Sequence, residues 1–188
     1  YADLDVAVID QLPPGRMPVQ TSAMANSRRD EVIARIAGLC RQGHQVYWVC
    51  TLIDESEEIQ AQSAQAAFEL ISQSLPDCAV ALLHGKVPPA EKSRIMQAFK
   101  ANQVQVLVAT TVIEVGVDVP NASVMVIENA ERLGLAQLHQ LRGRVGRGSV
   151  ASHCLLLYRT PLSAMAKERI EVMRQTANGF ILAEKDLE

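Results

Sequence analysis

Five apolar runs of four to eight residues, Val46–Ile53, Ala79–Leu83, Val104–Ala109, Val124–Ile127 and Cys154–Tyr158, alternate with stretches in which apolar residues recur every three or four positions. That alternation constrains the fold more than any other feature. Runs with little polar interruption read as strands covered on both faces, and the spaced stretches read as amphipathic helices. Ser27 and Gly43 bracket the first helix, with Val32, Ile33, Ile36, Ala37, Leu39 and Cys40 on one side, Ser27 as its N-cap and Gly43 as its stop. A second helix spans Glu55–Leu75, with acids in its first turn, apolar Ile59, Ala66, Ala67, Leu70 and Ile71, and a break at Pro76. Pro88-Pro89 opens a third over Ala90–Lys100, with Ile95, Met96 and Phe99 facing inward. Further helices are expected from Leu135 to about Val145 and from Ser163 to Ala177, and further strands at Leu4–Asp10 and Pro18–Met24.

Strands alternating with helices predict an α/β fold, an open, mostly parallel sheet with helices on both faces, because parallel neighbours need right-handed crossovers. In such sheets the ligand crevice lies outside the strand C-terminal ends. The residues to watch are therefore 51–57, 84–88, 110–120 and 129–134. Composition agrees: in 188 residues, 48% hydrophobic, 21% charged and 4% aromatic content excludes disorder and implies an aliphatic core. Eighteen Lys plus Arg against 21 Asp plus Glu give a net charge of −3, without the basic surplus of a self-sufficient nucleic-acid binder, so any phosphate contact must be local. The four cysteines, Cys40, Cys50, Cys78 and Cys154, form no C-x-x-C pair, which argues against zinc and disulfides. No apolar run approaches the roughly 20 residues of a membrane span and no secretory leader opens the chain, so a cytoplasmic protein is expected. The start at Tyr1 and the end at Glu188, inside a helix-compatible charged stretch, read as a piece excised from a longer chain.

Chemistry concentrates in Gln140-Leu141-Arg142-Gly143-Arg144-Val145-Gly146-Arg147. On a helix Gln140, Arg144 and Arg147 share a face and Leu138, Leu141 and Val145 lie opposite. Gly143 and Gly146 each weaken a helix by about 1 kcal/mol relative to Ala, which suggests either a close approach to the backbone or a helix terminus that has to be loosened. The alternative is a solvated Arg-rich helix end. After the third buried run comes Thr110-Thr111-Val112-Ile113-Glu114-Val115-Gly116-Val117-Asp118-Val119-Pro120. It offers hydroxyls at a strand end, a glycine that admits close approach and a carboxylate suited to a ribose hydroxyl or a guanidinium; the alternative is an ordinary Asp turn. His84-Gly85-Lys86 closes the second buried run, either as a turn or as a phosphate contact.

Asp54-Glu55 after an apolar run imitates a Walker B box, but no G-x-x-x-x-G-K-[ST] loop occurs anywhere in the chain, so these acids are assigned to the start of the next helix. Arg28, Arg29 and Arg35 read as a solvated helix face, and Trp48 as core.

The 140–147 string resembles motif VI of superfamily two helicases and translocases, and 109–120 resembles their motif V. The likeness covers nearly the whole chain. It implies a RecA-like second motor domain over residues 1–160, followed at 161–188 by the start of a helical translocation element. It implies arginine fingers at Arg144 and Arg147 assisted by Gln140, with Gly116 and Asp118 beside the nucleotide. DNA-backbone contacts are implied at His84, Gly85, Lys86, Thr110 and Thr111. ATP and Mg²⁺ would be held mainly by a first motor domain outside this sequence, so the chain alone is expected to lack ATPase activity. Val8–Arg16, Ile127–Gln140 and Ser152–Tyr158 resemble, within the superfamily, the bacterial enzymes that remodel branched DNA such as stalled forks and Holliday junctions, with a wedge domain as a further partner. The alternatives are the motor of the transcription-repair coupling factor, a non-catalytic α/β docking module, and a self-sufficient flavodoxin-like enzyme.

Overall fold

The structure is a computed structural model that describes residues 19–51, 56–110, 122–134, 136–138 and 152–175. Six strands are described: β1 (Val19–Ala25), β2 (Gln45–Cys50), β3 (Val80–Leu83), β4 (Val106–Thr110), β5 (Ala122–Glu128) and β6 (Ser152–Tyr158). Four α-helices accompany them: α1 (Arg29–Arg41), α2 (Glu57–Ser74), α3 (Pro89–Lys100) and α4 (Ala164–Gln175). One sheet runs in the order β1-β6-β5-β2-β4-β3, and every ladder in it is parallel. This is the expected open α/β sheet. After β2 the chain crosses to the edge of the sheet as β3, comes back between β3 and β2 as β4, and then passes to the other side of β2 as β5. That reversal makes the C-terminal ends of β4, β2 and β5 a topological switch point.

Period-two alternation divides the core between the two faces. Val46, Trp48 and Cys50 of β2 join Val106 and Val108 of β4, Val124 and Val126 of β5, and Val32, Ile33, Ile36, Ala64 and Ile71 from α1 and α2. Tyr47 and Val49 point the other way, among Leu107, Met125, Ile127 and Leu156 of the sheet, Met96 and Phe99 of α3, and Ile170 and Met173 of α4. The Tyr47 and Phe99 rings meet edge to face, with centroids 5.0 Å apart. Trp48 is core, as expected. Because Ile170 and Met173 belong to the same core, α4 covers the sheet from beyond the boundary expected at residue 160.

Local chemistry sets most helix limits. Pro89 occupies the first turn of α3, where its missing N–H leaves no bond unmade. Past α1, Gly43 at φ +93 lets its own N–H reach Cys40 O (3.0 Å) and His44 N–H reach Leu39 O (3.1 Å), a Schellman stop. Asn102 at φ 61 ends α3 in the same way, with bonds from Asn102 N–H to Phe99 O (3.1 Å) and Gln103 N–H to Ala98 O (2.9 Å). Buried Gln45 then ties that end to the sheet, its amide donating to Phe99 O (2.5 Å) and Val104 O (2.8 Å).

Several expectations need correction. Ser27 is not the cap of α1; it lies inside a 3₁₀ turn, Asn26–Arg28, and the N-cap position is Arg28, which makes no side-chain cap bond. The side-chain cap of α2 is Ser56, whose Oγ accepts from Ile59 N–H at 3.2 Å; Asp54 and Glu55 lie outside the described residues. The strand at 79–83 is not fully buried, since β3 is an edge strand and only Leu83 of its four residues is closed to solvent. The strand expected at 4–10 lies outside the described residues, as does all of the helix expected from Leu135 onward except the helical residues 136–138.

Phe99→Ala should lower stability by about 3–5 kcal/mol through the cavity it leaves between α3 and the sheet, read as a lower urea midpoint at unchanged slope. At the opposite edge from the switch point, burial, followed by Arg35 and His44, lowers the pKa of His153 below its ordinary 6.5. Folding therefore favours neutral His153. The resulting stability is present above pH 6.5 and is lost as pH falls through the folded-state value. An NMR titration midpoint for His153 at or above the unfolded value would contradict this.

Candidate functional site

Because all ladders are parallel, Ala25, Cys50, Leu83, Thr110, Glu128 and Tyr158 end their strands on one edge. The segments expected to form the crevice leave the sheet there. His84, Gly85 and Lys86 make a turn at the end of β3: Val87 N–H donates to His84 O (3.1 Å), and Lys86 N–H donates to His84 Nδ1 (3.1 Å). Lys86 Nζ lies 3.2 Å from Glu58 Oε1 in the first turn of α2, with both side chains exposed (45% and 75%). A surface pair of this kind is worth under about 1 kcal/mol, so Lys86 can exchange Glu58 for another anion at little expense.

Thr110 is the last residue of β4. Its side chain is buried and its hydroxyl has no partner among the described residues. It pairs in register with Cys50, which pairs on its other side with Glu128. Thr110, Cys50 and Glu128 continue the phase of Val108, Trp48 and Val126, so a polar row closes the α1–α2 side of the core. Six of the expected site residues, Thr111, Gly116, Asp118, Gln140, Arg144 and Arg147, lie outside the described residues.

The row is held by residues the sequence pattern assigns elsewhere. Arg29 is not part of a solvated face. Its guanidinium forms an ion pair with Glu128, whose side chain is only 8% exposed, and also donates to Asn26 Oδ1 at 3.0 Å. Arg28 and Arg35 fit the expectation better: Arg28 pairs with Glu31 in solvent, and Arg35 is exposed. Burial first, then the neighbouring Glu128, pushes the Cys50 thiol well up, so it stays protonated and donates to Glu128 Oε2 at 3.3 Å. Fully buried Thr51 donates its hydroxyl to Glu128 O, with Asn129 O also 3.1 Å away. One signal in the chain points to this cluster: Glu128 follows Val124 and Val126 in strand period, so its carboxylate has to face the core side and find a cation there.

Beyond Glu128 the chain turns sharply. Asn129 is left-handed at φ 53, a conformation asparagine tolerates better than most residues, and the 3₁₀ turn Ala130–Arg132 follows. Ala130, Leu133 and Leu138 are fully buried on the α3–α4 side. Glu131 Oε1 accepts from Arg159 N–H (3.0 Å), and Arg169 of α4 donates to Glu131 O (3.3 Å). The corner is anchored from both faces of the sheet. Gln140, Arg144 and Arg147 come only a few residues after Leu138.

Comparison with known proteins fits this geometry. The helicase conserved C-terminal domain model matches residues 23–149. The ATP-dependent DNA helicase RecG of Escherichia coli K12 is 60% identical across 100% of the chain, and that of Bacillus subtilis is 45% identical across 100%. The chain spans only 27% and 28% of those relatives. A solved structure of RecG bound to a three-way DNA junction superposes with a TM-score of 0.79 at 42% identity, over 94% of this chain and 23% of that one. Mss116p DEAD-box helicase domain 2 bound to an RNA duplex, 15% identical with a TM-score of 0.58 over 75% of this chain and 54% of that one, shares the fold alone. A docking module and a flavodoxin-like enzyme are both disfavoured by these matches. With the family model covering well over half of its length and the strand ends arranged as that fold requires, the chain belongs to the helicase conserved C-terminal domain family.

Proposed function

We propose that the chain is the second RecA-like motor domain of an ATP-dependent DNA helicase that remodels branched DNA, forks and Holliday junctions included. The observation that carries this reading is 60% identity to RecG along the entire chain, together with the superposition on RecG in its junction complex. The first motor domain and a wedge domain of the same protein are the partners, and the setting is the bacterial cytoplasm at the nucleoid. Residues 161–188 begin the translocation element.

The residues fit a triphosphate shared between two domains. Arg144 and Arg147 carry only N–H donors and a permanent charge, and Gln140 adds an amide, a donor set suited to phosphoryl oxygens. ATP, held with Mg²⁺ mainly by the first motor domain, supplies the phosphoryl group whose transfer to water drives movement. Arg144 and Arg147 reach across the cleft and stabilise the charge that spreads over the phosphoryl oxygens, and Gln140 helps to position the phosphate. Gly116 admits the nucleotide close to the backbone, and Asp118 accepts from a ribose hydroxyl or holds one of the guanidiniums. On the DNA side, His84, Gly85 and Lys86 contact one stretch of the sugar-phosphate backbone, and Thr111 another; Thr110, expected from its sequence position to join them, is buried at the end of β4 and roots that segment instead. Contacts of this class carry no base information, so branch shape selects the substrate. Loss of the anion releases the guanidiniums, the cleft opens, and the domain advances along the backbone.

In the whole helicase, Arg147→Ala should lower DNA-stimulated ATP hydrolysis by about 10³-fold while ATP binding changes little, because a finger contact strengthens in the transition state; an unaltered kcat contradicts the assignment. The 188-residue chain alone should hydrolyse no ATP above background with or without DNA, and measurable DNA-stimulated turnover would end the half-site reading. Lys86→Ala should weaken junction binding and flatten the salt dependence of its logarithm by about one unit of slope, while kcat at saturating DNA holds. An unchanged slope would remove Lys86 from the DNA contact.

A further inference from the structure

We infer that Glu128, gripped by Arg29, is a positioning residue that fixes the direction in which the chain leaves the sheet toward Gln140, Arg144 and Arg147; this rests on the helicase reading above. Three segments leave the strand ends side by side, two of them with proposed roles. Thr110 opens the motif V segment, Cys50 ends β2 with Thr51 just beyond it, and Glu128 opens the segment that runs on to motif VI. The Glu128 side chain touches two of the supports, through the Arg29 guanidinium and the Cys50 thiol, while its own carbonyl takes the Thr51 hydroxyl. The next residue, Asn129, turns the chain sharply through a left-handed conformation. Leu133 and Leu138 then pin the far side of the same corner. The route from Glu128 to Leu138 is thus fixed at both of its ends.

Stability alone is a poor reason for this arrangement. Glu128 lies in phase with Val124 and Val126, and an apolar residue there, with an apolar partner in place of Arg29, would fill the site without removing two charges from water. Substitutions of that kind in other buried ion pairs are often neutral or stabilising. What a carboxylate adds is direction: two oxygens receive donors from α1 and β2 at once and so admit one arrangement of the end of β5 against those two elements. An arginine finger needs such support, because a misplacement of about 1 Å in a catalytic group can cost about a hundredfold in rate.

The test uses the full-length helicase with a junction substrate and ATP, comparing Glu128→Gln, the apolar double variant Arg29→Met with Glu128→Leu, and Arg147→Ala. Hydrolysis at saturating ATP and DNA, KM for ATP and the melting temperature are read for each. The expected result is that both Glu128 variants lose about ten- to a hundredfold in kcat with KM for ATP changed less than about twofold. The apolar double variant should do so while melting at or above the temperature of the unsubstituted protein. A merely structural role gives the opposite pattern: Glu128→Gln melts early but turns over normally, and the apolar pair restores everything. If Arg147→Ala abolishes hydrolysis and the Glu128 variants keep full kcat, the positioning role fails and the helicase reading stands. If Arg147→Ala leaves hydrolysis intact, the arginine-finger assignment fails and takes this inference with it.

Discussion

Every ladder in the sheet is parallel, and that single constraint organises the rest. Parallel neighbours cannot be joined by a tight turn, so each return passes over a face, and both faces must be apolar to receive it. In this chain α1 and α2 cover one face, and α3 and α4 cover the other. A second consequence is that six strand ends meet on one edge, where carbonyls, helix starts and departing loops crowd together. The apolar core has to stop at that edge, and it stops in the row Thr110, Cys50 and Glu128. Polar side chains are costly at the rim of a core unless they find partners, so the row is the place where the fold's demand for burial and the loops' demand for definite exits are settled together.

Those elements whose cause is local were legible in the sequence. Pro89, Gly43, the unbroken apolar run of β2 and the inward trio Ile95, Met96 and Phe99 each carry their own signal, and each sits where that signal places it. Elements whose cause is a neighbour were not. The burial of Val80–Leu83 depends on which strand flanks it, and an edge position cannot be read from four aliphatic residues. Ser27 has the chemistry of a cap, but the chain leaves β1 through a 3₁₀ turn that passes the cap position to Arg28. The assignment of Arg29 to solvent failed for the same reason, since its partner lies 99 residues away.

Of the proposed site, the sequence supplied the cationic string and the loop residues through their pattern, while the polar row at the strand ends came only from the register of β4, β2 and β5. Patterned residues advertise chemistry because they must meet a ligand. Supporting residues advertise nothing, because any pair of the right shape would serve, and only their placement shows what they hold. Glu128 is intermediate: its phase along the strand demanded a buried cation, but the sequence offered 18 candidates.

A net charge of −3 is compatible with a domain that grips DNA once charge is counted by place. Arg28, Arg94 and Arg174 are each spent on a glutamate three residues away on the surface, and Arg29 is spent on Glu128. Such neutralised positions contribute little field beyond a Debye length of about 8 Å at physiological salt. Lys86 differs in kind: its partner Glu58 belongs to another element, and both side chains are exposed, Glu58 the more so. On the proposed reading, a domain that must let go of DNA at every step gains nothing from a large basic surface, which would raise affinity in every nucleotide state alike. A few cations at strand ends, whose distance from the backbone changes as the cleft opens and closes, couple binding to the cycle, because only contacts that differ between two states can drive a change from one to the other.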